Sequence, residues 1–88
     1  MHIIRTYSAG VHVGTLVRHE GTVVELKDAS RIWRWRGANT LNELALHGPA
    51  QELTRISERV PSITLTEAIE LIPVMPEARG AFDPRWPT

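Results

Sequence analysis

Apolar and polar positions alternate with a period of two along much of residues 2–36, the period of strands with one face in a core. HIIRTYS (2–8) mixes β-branched and aromatic residues, and Ala9-Gly10 then supplies a turn, which predicts a tight hairpin into VHVGTLVRHE. In that second run Val11, Val13, Thr15 and Val17 share one face and His12, Gly14, Leu16 and Arg18 the other; Gly14 marks a bulge or a close backbone approach. Glu20-Gly21 makes the next turn. A third strand follows, with Thr22, Val24 and Leu26 on one face and Val23, Glu25 and Lys27 on a wet one. Asp28-Ala29-Ser30 reads as a polar break and RIWRWR (31–36) as a fourth strand ended by Gly37, so an antiparallel meander is expected.

At Thr40 the period changes. Thr40 and Glu43 form a capping box, Leu41, Leu44 and Ala45 share one helical face, and Gly48-Pro49 supplies a stop, which predicts a short helix over 40–47. LTRISERV (53–60) alternates loosely, as a strand does, before Pro61-Ser62 interrupts. ITLTEAIELIPV (63–74) fits either period, and Thr64 and Glu67 offer a second capping box. The β-branched content and the short distance from Pro61 to Pro73 favour a strand, bulged along its length. The tail holds Pro76, Pro84 and Pro87. It allows one helical turn begun by Pro76, kept short by Gly80 and Pro84, and ordered only through docking of Phe82 and Trp86.

The expected fold is therefore α+β: a twisted antiparallel β-sheet of about five or six strands, one short helix after strand four, and a short, partly helical C-terminal tail. Residues 1–88 form a single domain, with the sheet and helix in 1–75 and the tail in 76–88.

Composition narrows the picture. A chain of 88 residues has a marginal core, since domains of this size bury only about 60–65% of their unfolded surface. The chain has no cysteine to staple it, so self-association is the expected supplement. Ten basic and ten acidic side chains cancel, which argues against a general electrostatic binder of nucleic-acid polymers. The N-terminus is too interrupted for a signal peptide and no run reaches the length of a membrane span, so a soluble intracellular protein is the default.

Candidate chemistry sits in arginine–aromatic pairings. On a strand, Arg31, Trp33 and Trp35 share one face while Ile32, Arg34 and Arg36 take the other. The tryptophans serve either as core and subunit interface or as a stacking platform; Arg34 and Arg36 serve either as ligand contacts or as a solvated face. Arg5 precedes the corner Tyr7-Ser8-Ala9-Gly10, where turn N–H groups and a guanidinium can converge on a phosphate, and Arg85-Trp86 is a second such pair. His2, His12, His19 and His47 lack metal-ligand spacing, and no nucleophile elbow, P-loop or dinucleotide fingerprint is present. Neither a metal, a cofactor nor catalysis is expected.

IIRTYSAGVHVGTLV (3–17), VVELKDASRIWRWRGANTLNELALHG (23–48) and ITLTEAIELIPV (63–74) together resemble a small phage protein family that includes the first-described Thoeris anti-defence sponge. The resemblance implies an antiparallel sheet with a helical portion, assembled as a homo-oligomer: a hexamer first, otherwise a dimer or trimer. It implies a protein that acts in the cytoplasm of the infected bacterial host, with no membrane partner. There it would sequester cyclic nucleotide immune signals without cleaving them: cyclic ADP-ribose isomers from TIR-domain proteins, CBASS cyclic oligonucleotides, or both. Arg5 and Arg85 would then be phosphate clamps, with Tyr7, Ser8, Gly10, Arg34, Arg36 and Trp86 as further ligand contacts. Two other classes stand beside this one, a phage accessory protein-interaction module using the tryptophan face and a single-stranded nucleic-acid binder, against which the zero net charge counts.

Overall fold

The computed structural model describes residues 1–34, 41–48 and 55–84. In chain order these form β1 (His2–Thr6), β2 (Val11–Glu20), β3 (Val23–Arg34), α1 (Leu41–His47), β4 (Arg55–Ile56), β5 (Val60–Leu65), β6 (Ala68–Pro73) and a 3-10 helix (Pro76–Phe82). Six strands make one antiparallel sheet in the order β4-β3-β2-β1-β6, with β5 also paired to β3. The fold is the α+β arrangement that the alternation predicts.

The polar step at Asp28-Ala29-Ser30 does not break the sheet. β3 runs unbroken from Val23 to Arg34, so the predicted third and fourth strands are one and the helix follows it; Trp35 and Arg36 lie outside the described residues. A bulge absorbs the step. Between Val13↔Ser30 and Thr15↔Lys27 the register gains one residue on β3, and Asp28 takes a φ of 50°, a left-handed conformation that aspartate tolerates better than most residues. β2 has its own insertion at Val17, between Leu16↔Leu26 and Arg18↔Glu25. The two insertions cancel, so His12 falls opposite Arg31 as though the hairpin were regular.

Gly14 sits at the bend. A Cβ there would lie 3.1 Å from both Cα and Cβ of Ala29 and 3.2 Å from the Lys27 carbonyl oxygen, so any larger residue would push the strands a few tenths of an ångström apart. The bent hairpin brings its far end round to the end of β1: Ala68 N–H donates to Thr22 O and Tyr7 N–H to Glu67 O, each at 3.0 Å. β1 is thereby covered on both faces. Ile3 packs with Val13, Ile32, Ala45 and Phe82 on one side, and Ile4 with Val24, Leu26, Ala29 and Leu65 on the other. This is also why the predicted one-sided burial of β2 fails: His12 and Val13 are both buried, while Val17, the inserted residue, is exposed.

The ambiguous run 63–74 is strand, divided between β5 and β6 by a corner at Thr66-Glu67 rather than continuous, and the Thr64 to Glu67 pattern starts no helix. Each half finds a strand edge to pair with, β5 on β3 and β6 on β1, and that pairing outweighs a local helix start. Pro61 interrupts nothing: it lies inside β5, an edge strand where a missing N–H is tolerated. α1 occupies the predicted span from Leu41, although its capping Thr40 lies outside the described residues. The Ala45 carbonyl, one of the unpaired groups at the helix end, accepts the Met75 N–H at 3.0 Å. Pro76 begins the 3-10 helix as expected, but Gly80 sits within it rather than ending it, because Ala78 and Phe82 anchor that segment in the first core.

Candidate functional site

Among the described residues, polar groups gather at the corner after β1 and at a cavity beside β3. At the corner, Thr6 Oγ1 donates to Gly10 O at 2.8 Å and accepts from Ala9 N–H at 2.9 Å, while Gly10 takes a φ of 84°. The corner is also tied to the β5–β6 connection, through Tyr7 N–H to Glu67 O and Ser8 Oγ to Glu67 Oε1 at 2.6 Å. Arg5 lies opposite Glu70 in the β1–β6 register and pairs with it, Nε to Oε1 at 2.6 Å. Tyr7 projects from this braced loop with 80% of its surface exposed.

The structure thus brings Arg5, Tyr7, Ser8 and Gly10 into one loop region. The Tyr7 and Ala9 N–H groups, expected to face a phosphate, are instead bonded within the protein. Arg34 ends β3, where its backbone pairs with Arg55, on the far side of the sheet order from the β1 corner. Arg36, Arg85 and Trp86 lie outside the described residues.

The cavity is about 230 Å³ and is lined by His12, Ala29, Ser30, Arg31, Ser57, Glu58, Val60 and Ile63. The β4–β5 connection borders it, pinned by Ser57 N–H to Arg31 O at 2.9 Å and by Arg31 N–H to Ser57 Oγ at 2.7 Å. Arg31 Nε donates to His12 Nε2 at 3.3 Å, so the neutral imidazole carries its proton on Nδ1. His12 is 1% exposed, and burial, reinforced by the Arg31 charge, lowers its pKa to about 4. Among the described residues its Nδ1 has no hydrogen-bond partner. Sequence spacing weighs His12 only as a metal ligand and rejects it, and alternation sets Arg31 on the face of the tryptophans. Counting back from the Gly21-Thr22 turn would have placed the two opposite each other.

No group of three or more metal-ligating side chains gathers among the described residues, and no helix among them is long and apolar enough to cross a membrane. A family model described as "Domain of unknown function (DUF6948)" matches residues 1–82. The chain belongs to this family. Arg5, Tyr7, His12, Arg31 and Ser57 all fall within the matched span, whereas Arg85 and Trp86 fall past its end. No curated protein and no solved structure matches the chain.

Proposed function

We propose that the protein is a phage anti-defence sponge, a homo-oligomer in the cytoplasm of the infected bacterium. It binds cyclic nucleotide immune signals (cyclic ADP-ribose isomers, CBASS cyclic oligonucleotides, or both) and holds them intact. The observation that carries this reading is the braced corner of the RTYSAG segment: an exposed Tyr7 ring beside the half-exposed Arg5 guanidinium on a loop tied at both ends. A base stacked on an aromatic ring contributes about 1–3 kcal/mol, and a guanidinium pairs with phosphate through two N–H groups. Sequestration needs only such contacts and no proton transfer. Arg36, Arg85 and Trp86 are further ligand contacts in this proposal, and Arg34, on the far side of the sheet order, would serve ligand away from that corner.

The test is to incubate the purified protein with cyclic ADP-ribose isomers and with cyclic di- and trinucleotides, isolate the complex, and heat it. Intact ligand returned on heating is expected; hydrolysed product, or no co-migrating ligand, would defeat the proposal. A protein-interaction module is a second reading, favoured by the exposed Tyr7, Val17, Leu46, Val60 and Ile69. It predicts partner capture that survives Arg5→Gln and is lost on Tyr7→Ala.

A further inference from the structure

We propose that the cavity between β3 and the β4–β5 connection binds a small organic oxyanion, a carboxylate or a phosphate ester on a compact apolar or planar body. Arg31 is the anion contact and His12 its positioning residue. This site is separate from the Arg5 corner and does not depend on how that corner is used.

The first argument is charge. Arg5 pairs with Glu70, Arg18 with Glu20 and Glu25, and Arg59 with Asp83. Arg31 is tied through Nε to an uncharged imidazole instead, and among the described residues its terminal nitrogens have no partner. A guanidinium held this way keeps its full charge and its two-pronged edge for an incoming oxyanion.

The second argument is the histidine. A fully buried imidazole next to a cation, with one nitrogen unpartnered among the described residues, is costly to the fold. What it does provide is a fixed acceptor for Arg31 Nε, which holds the guanidinium plane before a ligand arrives. The third is shape. Ala29, Val60 and Ile63 supply apolar lining beside the polar Arg31 and Ser57, and 230 Å³ accommodates one ring with an acid group. Pockets for drug-sized ligands run from about 300 Å³ upward. Glu58 on the same lining disfavours multiply charged ligands.

Nuclear magnetic resonance titration of the full chain with benzoate, phenyl phosphate and inorganic phosphate tests the site. Saturable shifts at the Arg31, Ser57, Val60 and Ile63 amides are expected with benzoate, phenyl phosphate or both, and the better binder identifies the oxyanion. Inorganic phosphate, lacking a body, should bind at least about fivefold more weakly. Arg31→Gln should weaken binding at least about tenfold and Arg31→Lys less. His12→Gln, which keeps an acceptor for Nε, should retain affinity that His12→Leu loses. Val60→Trp changes an exposed residue and fills the cavity without touching the Arg31–His12 bond, so it covers the case in which His12→Leu does not fold; it should abolish the shifts. The proposal is overturned if no organic anion saturates, if Arg31→Gln binds as the wild type does, or if Val60→Trp leaves binding unchanged.

Discussion

His12 is a titratable side chain that the fold buries almost completely, at 1% exposure. Burial first, and the Arg31 charge second, lower its pKa from 6.5 in the unfolded chain to about 4 in the fold. The unfolded state therefore takes up the proton first as pH falls. The stability that neutral His12 allows is complete above pH 6.5 and is lost on the way down to pH 4. The shift corresponds to roughly 3 kcal/mol. Urea denaturation at pH 7 and pH 4.5 should show this loss, and His12→Gln, which does not titrate, should lose less over the same interval. His2 is shifted in the same direction by burial and then by the N-terminal charge, so it adds to the slope with the same sign. Ser30 is a simpler case. Its hydroxyl is buried, at 2% exposure, with no partner among the described residues, so Ser30→Ala should cost nothing or stabilise by up to about 1 kcal/mol, read as a raised thermal midpoint.

At the scale of elements the β2–β3 hairpin decides the architecture, and its two bulges are where local pattern and tertiary structure part company. Ile3, Ile4, Val24 and Leu26 were legible as strand residues because alternation is a property of neighbours along the chain. That Asp28 would turn left-handed inside a strand was not legible, since a polar triplet reads the same whether the chain stops or bulges. Nor could alternation tell that a second layer would cover the outer face of β1, because that layer comes from the hairpin folding over. The bulge supplies its own test. Asp28→Gly should stabilise by up to about 1 kcal/mol, whereas Asp28→Val, a β-branched residue at positive φ, should destabilise by more than that. Gly14→Ala places a methyl against Ala29 and the Lys27 carbonyl, none of which can rotate away, and should cost about 1–3 kcal/mol in urea melts. Ala29→Gly in the same chain should restore only part of it, because the Ala29 Cα and the Lys27 oxygen remain in place.

For the whole molecule, the bend gathers three turns that are distant in sequence: Tyr7 to Gly10, Gly21-Thr22 and Thr66-Glu67. Sequence indicated the first of these as a corner with an adjacent arginine. It did not reveal that Glu67 and Glu70 would arrive there from β6 and its approach, because antiparallel pairing of β6 with β1 is a long-range choice. Glu70 gives Arg5 two roles that one substitution separates. Both side chains are about half exposed, at 48% and 44%, so the ion pair itself should contribute under about 1 kcal/mol to stability. For an anionic ligand, however, Glu70 competes directly for the same guanidinium. Glu70→Gln should therefore leave the thermal midpoint nearly unchanged while tightening calorimetric binding of a cyclic nucleotide several-fold, most clearly at low salt. Arg5→Gln should abolish that binding at equal stability. If Glu70→Gln weakened binding instead, the carboxylate would be orienting Arg5 towards the ligand, as His12 orients Arg31 in the neighbouring strands.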